Sequence, residues 1–353
     1  MADNKATSKA QEFKALSKKD QQRKIGDLIL NNAMYIIIAI AIIFITVKQP
    51  KFISLSSIVN IISLTAAKLP IALGIGGCIV LTGTDISAGR VVGLAACISA
   101  SLLTTVFKVF PNMTSAMPIP VVLLIVLGVG AAVGFVNGFS VAKFKLHPFI
   151  VTLSTQLITY GIILMYLMNG VNNGQTLSGL TDSYRSLITG TLFTIGGVAI
   201  PRYVLYAVIL TAVMWVIWNK TTFGKNMFAV GSNEEAANVS GVNVARTIIL
   251  VFMLAGVMYG ITGFFDGARI ASANANTGLN YECDAIAACV IGGVSFVGGI
   301  VRISGIVVGV LLLQIIFAGL NFLSVDPNML YIIKGLIILV ACAIDMRKYL
   351  VRK

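Results

Sequence analysis

Ten apolar runs, separated by short polar segments, dominate the pattern of this sequence. They fall at 33–47, 56–82, 86–107, 119–143, 148–168, 201–218, 248–265, 285–297, 303–322 and 329–346. A hydrocarbon core of about 30 Å needs about 20 apolar helical residues, so most of these runs are long enough to cross a membrane. The run at 285–297 is too short, and we interpret it as a half-helix. The pattern predicts an all-α polytopic membrane protein with about ten transmembrane helices.

Composition agrees with this prediction and excludes a soluble protein. Of the 353 residues, 57% are hydrophobic and only 11% are charged, against about 25% charged in soluble domains. The net charge of +13 would suggest nucleic acid in a soluble protein. Here the Lys and Arg residues lie mainly between apolar runs, where they act as a topology signal. We therefore predict membrane lipids, and no nucleic acid, as partners.

The distribution of Lys and Arg predicts the orientation, because cytoplasmic loops retain these residues. With the amino terminus inside, 17 of them fall on the inner side and six on the outer side. Both termini are then cytoplasmic. We divide the chain into a basic cytoplasmic arm (1–30), a transmembrane domain (31–347) with an inner loop (219–247), and a cytoplasmic tail (348–353).

Glycines spaced four residues apart predict close packing between helices. Small residues at this spacing let helix backbones approach where no hydrophobic effect drives association. The sets are Gly130, Gly134 and Gly138, then Gly256 and Gly260, then Gly305 and Gly309.

A weak internal repeat runs through the chain. Asp85 and Asp284 each precede an apolar helix, which is followed by a glycine-spaced helix and then by a helix led by Pro148 or Pro327. Five spans separate the copies, so the second would be inverted, and inverted repeats commonly build a transport path at their interface.

Signatures of catalysis and of metal binding are missing from the sequence. The nearest match to a phosphate-binding loop is Gly224-Lys225, but the hydroxyl residue that should follow is replaced by Asn226,. The single histidine, His147, has no nucleophile or metal-ligand pattern around it,. We predict a non-catalytic chain without catalytic residues, a metal site or a cofactor of its own.

The inner loop carries a short helical segment at 230–247. Ser232 or Asn233 can cap it, Glu234 and Glu235 lie at its positive end, and Gly241 can end it,. An exposed helix of about two turns has little reason to form alone. It is either a docking element or an ordinary structured loop.

Three segments carry a resemblance to a known family. GSNEEAANVSGV, from Gly231, resembles the GxNxxAAxxSGI loop of ABC-importer permeases, and GTDISAGR at 83–90 resembles the GxDxSxG segment of their monosaccharide-importing branch. YECDAIAACVIGGVSFVGG at 281–299 fits the same branch. Thr84, Ala88 and Arg90 agree with its galactoside type rather than with the GIDLSVGS of the ribose type.

The resemblance implies the translocation subunit of a bacterial plasma-membrane importer for galactose or methyl galactoside. Two copies of the permease would form the pore, a cytoplasmic ATPase subunit would bind ATP and Mg²⁺, and a periplasmic or lipid-anchored sugar-binding protein would deliver the substrate. The inner loop would be the coupling helix that docks on the ATPase. The residues assigned to it are Asn233, Glu234, Glu235, Ala236, Ala237, Ser240 and Gly241.

Polar residues within the apolar runs are candidates for the translocation pathway, because a charge near the bilayer centre persists mostly where it faces a cavity or a partner. These candidates are Asp85, Ser87, Arg90, Gln156, Asp284 and Gln314. Alternatively, Asp85 caps a helix or pairs with Arg90, and the two glutamines make interhelical hydrogen bonds. Near the predicted outer mouth, Asp266, Arg269 and Glu282 either receive the binding protein or solvate the loop. Lys68 and Lys334 either snorkel or pair with a carboxylate.

Two further alternatives remain open at this point. Intramembrane acids such as Asp85, Asp266 or Asp284 also suit a self-sufficient, proton-coupled secondary transporter, although such a protein needs no docking helix. The second alternative keeps the ATP-driven mechanism, with ribose, xylose or a nucleoside as the solute.

Overall fold

A computed structural model describes residues 33–350 of the chain, so the predicted arm at 1–30 and the last three residues lie outside the described part. Within it, helices occupy most positions. The first seven are α1 (Ala33–Lys48), α2 (Leu55–Val80), α3 (Ala88–Leu102), α4 (Ile119–Phe144), α5 (Pro148–Met168), α6 (Asp182–Thr189) and α7 (Arg202–Lys220). The next six are α8 (Thr222–Ser232), α9 (Glu234–Val239), α10 (Val244–Ile270), α11 (Tyr281–Ile291), α12 (Ile303–Phe322) and α13 (Pro327–Leu350).

Each of the ten predicted apolar runs contains a helix, but fewer of these helices are long enough to span a bilayer. Among the described residues, α2, α4, α5, α7, α10 and α12 can cross a membrane by length and composition. The helices α3 and α11 are short, with 15 and 11 residues. An antiparallel hairpin, β1 (Thr191–Ile195) and β2 (Val198–Pro201), lies in the segment before α7.

The helix α10 is the centre of the bundle. It packs against α4, α3 and α2, whereas α12 packs against α2 and α11, and α13 against α11. The predicted close approach of glycine faces is confirmed: a Cβ atom at Gly130 would overlap the carbonyl oxygen of Gly256, and one at Gly134 would overlap that of Phe252. A Cβ atom at Gly309 would likewise overlap the carbonyl oxygen of Ala288 in α11.

The side chains that α4, α5 and α7 expose are predominantly apolar. They include Leu124, Leu157, Met165 and Val208, each more than half exposed. Such surfaces suit contact with lipid.

The half-helix predicted at 285–297 is confirmed as a short helix, but it lies earlier in the chain, at Tyr281–Ile291. Gly292 ends it and Gly293 adopts φ +82°. The apolar residues that follow are not helical, and their backbone is satisfied by other bonds. The N–H of Val294 donates to the carbonyl of Cys289 at 2.9 Å, and the N–H of Gly299 donates to that of Val80 at 3.0 Å.

Candidate functional site

The inner loop forms the short helix α9, and its start is capped as the sequence predicts. The side chain of Asn233 accepts a hydrogen bond from the Ala236 N–H at 2.9 Å. Glu234 and Glu235 occupy the first turn, where a carboxylate is stabilised by the positive end of the helix.

Gly241 ends α9 through a Schellman motif. Its φ is +85°, its N–H donates to the carbonyl of Asn238, and the N–H of Val242 donates to that of Ala237, both at 3.0 Å. This pair of bonds satisfies carbonyls at the helix end, and it requires a left-handed residue that is usually glycine. The prediction that Gly241 ends the helix is confirmed.

The outer face of α9 is open to solvent. Ala237 is buried against its own chain, whereas the other side chains of α9 and Ser240 are exposed, with Val239 exposed by 90%. Beside the helix lies a groove of about 810 Å³, lined in part by Ala142, Glu235, Asn238 and Val244. An ion pair of 2.7 Å between Lys145 and Glu234 joins α9 to the turn between α4 and α5. Both side chains are more than half exposed, so this pair contributes little to stability.

A separate polar network is buried in the bundle around Asp85. One carboxylate oxygen of Asp85 accepts bonds from the N–H and hydroxyl of Ser87, at 3.0 and 2.6 Å. The Ser87 hydroxyl accepts a bond from the Asn137 amide at 3.0 Å, and the Asn137 carbonyl accepts one from the Thr155 hydroxyl at 2.6 Å. Asp85 therefore stabilises the turn before α3 and links it to α4 and α5.

Arg90 does not pair with Asp85, the other arrangement that the sequence leaves open. Its guanidinium donates to the carbonyl of Ala275 at 2.9 Å and stacks over the Tyr160 ring at 4.1 Å. Gln156, another pathway candidate, lies on α5 one turn before Tyr160 and is partly buried.

The amino-terminal ends of α3 and α11 meet inside the bundle. A Cβ atom at Gly89, in the first turn of α3, would overlap the carboxylate of Glu282 and the carbonyl oxygen of Gly278. Glu282 lies in the first turn of α11. Two positive helix ends therefore surround one carboxylate, which offsets part of the free-energy cost of its burial.

The three residues predicted as candidates for binding-protein docking are largely withdrawn from the surface. Asp266 and Glu282 are buried. Arg269 is partly exposed and its guanidinium binds the Asp266 carboxylate at 2.9 Å. A protein that docks from outside needs accessible side chains, and the burial of both acids argues against their role in such contacts.

Asp284 and Gln314, two pathway candidates, meet at one small pocket between α2, α11 and α12. Lys68 and Tyr281 line it as well, with the Lys68 ammonium lying over the Tyr281 ring. The Lys334 ammonium of α13 binds the Asp284 carboxylate at 3.0 Å. Sequence reasoning named Lys68 and Lys334 only as groups that snorkel or pair, and it missed Tyr281. The available signal was a lysine inside each of two apolar runs.

Among residues 33–350, no three His, Cys, Asp or Glu side chains are grouped so that they could hold a metal ion.

The family described as branched-chain amino acid transport system / permease component matches residues 57–342. The galactose/methyl galactoside import permease protein of Haemophilus influenzae is 43% identical over 94% of this chain and 99% of its own length. That of Escherichia coli is 43% identical over 91% and 95%. The ribose import permease protein of Haemophilus influenzae is 34% identical over 91% and 95%. No solved structure matches the chain.

Proposed function

Since the chain belongs to the family of branched-chain amino acid transport system permease components, we propose that it is the transmembrane subunit of an ATP-driven importer for galactose and methyl galactoside. The observation that carries this proposal is the 43% identity, over nearly the whole chain, to permeases named for those sugars. Ribose permeases are more distant, at 32–34% identity. The family description names branched-chain amino acids, but the relatives at higher identity are sugar permeases, and we give them more weight.

We propose that all ten apolar helices lie in the membrane and form two inverted repeats. The series α2 to α5 and the series α10 to α13 have the same order: a long helix, a short one, a long one with close glycine contacts, and a helix that begins at a proline. The two series also pack in a reciprocal way, since α4 lies against α10 and α12 lies against α2. Both termini are then cytoplasmic, as the charge distribution favours.

In this proposal α9 is the coupling helix that binds the ATPase subunit. Its two caps fix its ends, and its exposed face carries Glu235, Ala236, Asn238 and Val239. Ala237 supports the helix from below, because its side chain is buried. Small side chains in this helix permit close approach of a partner.

The remaining parts of the transporter are other chains. A second copy of the permease completes the pore, the ATPase subunit binds ATP and Mg²⁺, and a periplasmic or lipid-anchored protein delivers the sugar. None of the chemistry of ATP hydrolysis then falls on this chain.

Transport by the reconstituted complex tests this proposal. The chain is placed in liposomes with its ATPase subunit, and the sugar-loaded binding protein is added on the outer side. We expect uptake of galactose that requires ATP and stops when the ATPase subunit is left out. Accumulation by the permease alone along a proton gradient would contradict the mechanism, and uptake of ribose without galactose would contradict the assigned sugar.

A further inference from the structure

A cluster of charged and aromatic side chains lies at mid-depth on one surface of the bundle. It consists of Lys68 on α2, Tyr281 and Asp284 on α11, Gln314 on α12 and Lys334 on α13. Lys68 lies about 18–20 Å from either end of α2 at a rise of 1.5 Å per residue. The ion pair between Lys334 and Asp284 places these two residues beside it. The cluster therefore lies far from both ends of the bundle.

The cluster is only partly buried by the chain itself. Lys68 and Tyr281 are of intermediate exposure, and the Lys334 side chain is 24% exposed. The ion pairs among residues 33–350 include Lys334 with Asp284 but none with Lys68, whose ammonium instead lies over the Tyr281 ring.

Contact with lipid does not suit this surface. Ionisable side chains within membrane spans face the interior of a bundle or a water-filled cavity, because hydrocarbon cannot solvate them. The exposed side chains of α4, α5 and α7 are predominantly apolar, so the chain has surfaces elsewhere that suit lipid. The partly exposed charges of the cluster then require water or a polar solute in the assembled transporter.

The functional groups of the cluster match those that bind a neutral sugar. Two ammonium groups and an amide can donate hydrogen bonds to hydroxyls, while a carboxylate and the amide oxygen can accept them. Tyr281 adds an aromatic ring and a hydroxyl. Sites for small molecules typically combine apolar rings with a few such convergent polar groups. The pocket between these residues now has a volume of only about 10 Å³, so it is closed to a sugar in this conformation.

We propose that these five residues form the polar wall of the sugar's path through the membrane, and that the sugar packs on the ring of Tyr281. This proposal rests on the proposed function. The sugar passes when α2, α11 and α12, which line the pocket, separate enough to open it. The hydroxyl groups of the sugar then bind the ammonium and carboxylate groups of the wall.

Thiol labelling in the reconstituted complex tests whether the wall faces water. Cys283 and Cys342, which are partly exposed, are first replaced by alanine. Lys68→Cys and Lys334→Cys are then made in this background, with Met165→Cys on the exposed apolar surface of α5 as the matched control. We expect a charged methanethiosulfonate reagent to modify the first two variants but not the third. Failure to modify both Lys68→Cys and Lys334→Cys in an active complex overturns the proposal. This is the result expected if a second copy of the permease, and not water, covers the cluster.

Transport per ATP hydrolysed tests the role of the ring. We expect Tyr281→Leu to lower it roughly twofold to tenfold, the change that corresponds to one aromatic contact of about 0.5–1.5 kcal/mol. Tyr281→Phe, which keeps the ring and loses only the hydroxyl, should lower it less than Tyr281→Leu does. Gln314→Met, which loses only the amide, gives a second reading if Tyr281→Leu fails to fold, with a loss of the same order expected for one hydrogen bond.

Wild-type galactose transport separates failure of this inference from failure of the proposed function. If the wild-type complex imports galactose but Tyr281→Leu and Gln314→Met do so with unchanged efficiency, the wall is wrong and the function stands. If the wild-type complex imports no galactose, the proposed function itself fails.

Discussion

Replacing Gly241 tests whether the geometry of α9 is needed for coupling. The residue has φ +85°, a conformation that costs an ordinary L-residue roughly 1–2 kcal/mol and a β-branched residue more. A Cβ atom at this position would meet nothing within 4 Å. The effect of a substitution therefore comes from backbone strain and not from a clash, and the choice of the new residue controls it.

Gly241→Val is the disruptive variant and Gly241→Asn is its matched control. Asparagine tolerates the left-handed region far better than valine does. A strain of about 1–2 kcal/mol changes the ratio of capped to uncapped loop by a factor of roughly 5–30. We expect Gly241→Val to raise the fraction of molecules that lack the bonds from Gly241 and Val242 to the end of α9, and Gly241→Asn to keep these bonds.

Copurification of the ATPase subunit and sugar uptake are the two measurements. We expect Gly241→Val to weaken both, with no change in the amount of permease in the membrane, and Gly241→Asn to remain close to wild type. Wild-type coupling in Gly241→Val would refute the reasoning, because the caps of α9 would then be irrelevant to docking. Equal loss in both variants would also refute it, since a non-glycine side chain and not backbone strain would then be the cause.

Three further predictions concern packing, the buried network and the surface ion pair. Gly130→Leu overlaps a backbone carbonyl of α10 and should lower the thermal stability of the purified protein strongly, by at least the roughly 1–3 kcal/mol of an overpacked core. Gly128→Leu, on the same helix with open space around it, should not. Ser87→Ala removes a donor and an acceptor from a buried network and should cost about 1–3 kcal/mol in unfolding by denaturant. The same change at the exposed Ser154 should be close to neutral, and equal effects would contradict the network's importance. Lys145→Gln breaks an exposed ion pair and should change the free energy of unfolding by less than about 1 kcal/mol. A large loss of ATPase binding in this variant would therefore indicate that Lys145 contacts the ATPase subunit directly.

Much of the helical framework could be predicted because its signals are local. Pro148 begins α5 and Gly241 ends the segment of α9, as the sequence indicates. The charge bias and the apolar runs are also properties of short stretches. The spacing of the glycines predicted close packing, although it could not say that Gly130 faces Gly256.

The breaks within apolar runs were harder to predict, because hydropathy does not show where a helix ends inside an apolar run. The run at 285–297 contains no charged residue, yet the chain turns at Gly292 and Gly293 and leaves the helix. In the next segment, distant groups such as the carbonyl of Val80 accept the backbone hydrogen bonds.

The long-range pairings in the polar cluster could not be predicted from the sequence, because they depend on how distant helices pack together. Lys334 binds Asp284 across 50 residues, and Lys68 meets Tyr281 from a helix far away in the chain. Each lysine has several candidate partners in one sequence, and only the packing of α2, α11 and α13 selects among them.

The breaks in the helices and the buried charges have a common physical basis. A half-helix that ends inside the bundle leaves backbone groups that lipid cannot satisfy, so protein groups must bind them. The Arg90 guanidinium binds one such group, the carbonyl of Ala275. Conversely, the backbone at the starts of α3 and α11 stabilises a charged side chain, the carboxylate of Glu282. In this part of the bundle the charged side chains and the helix ends therefore stabilise each other. Sequence changes that restore a continuous helix here would leave these charges uncompensated.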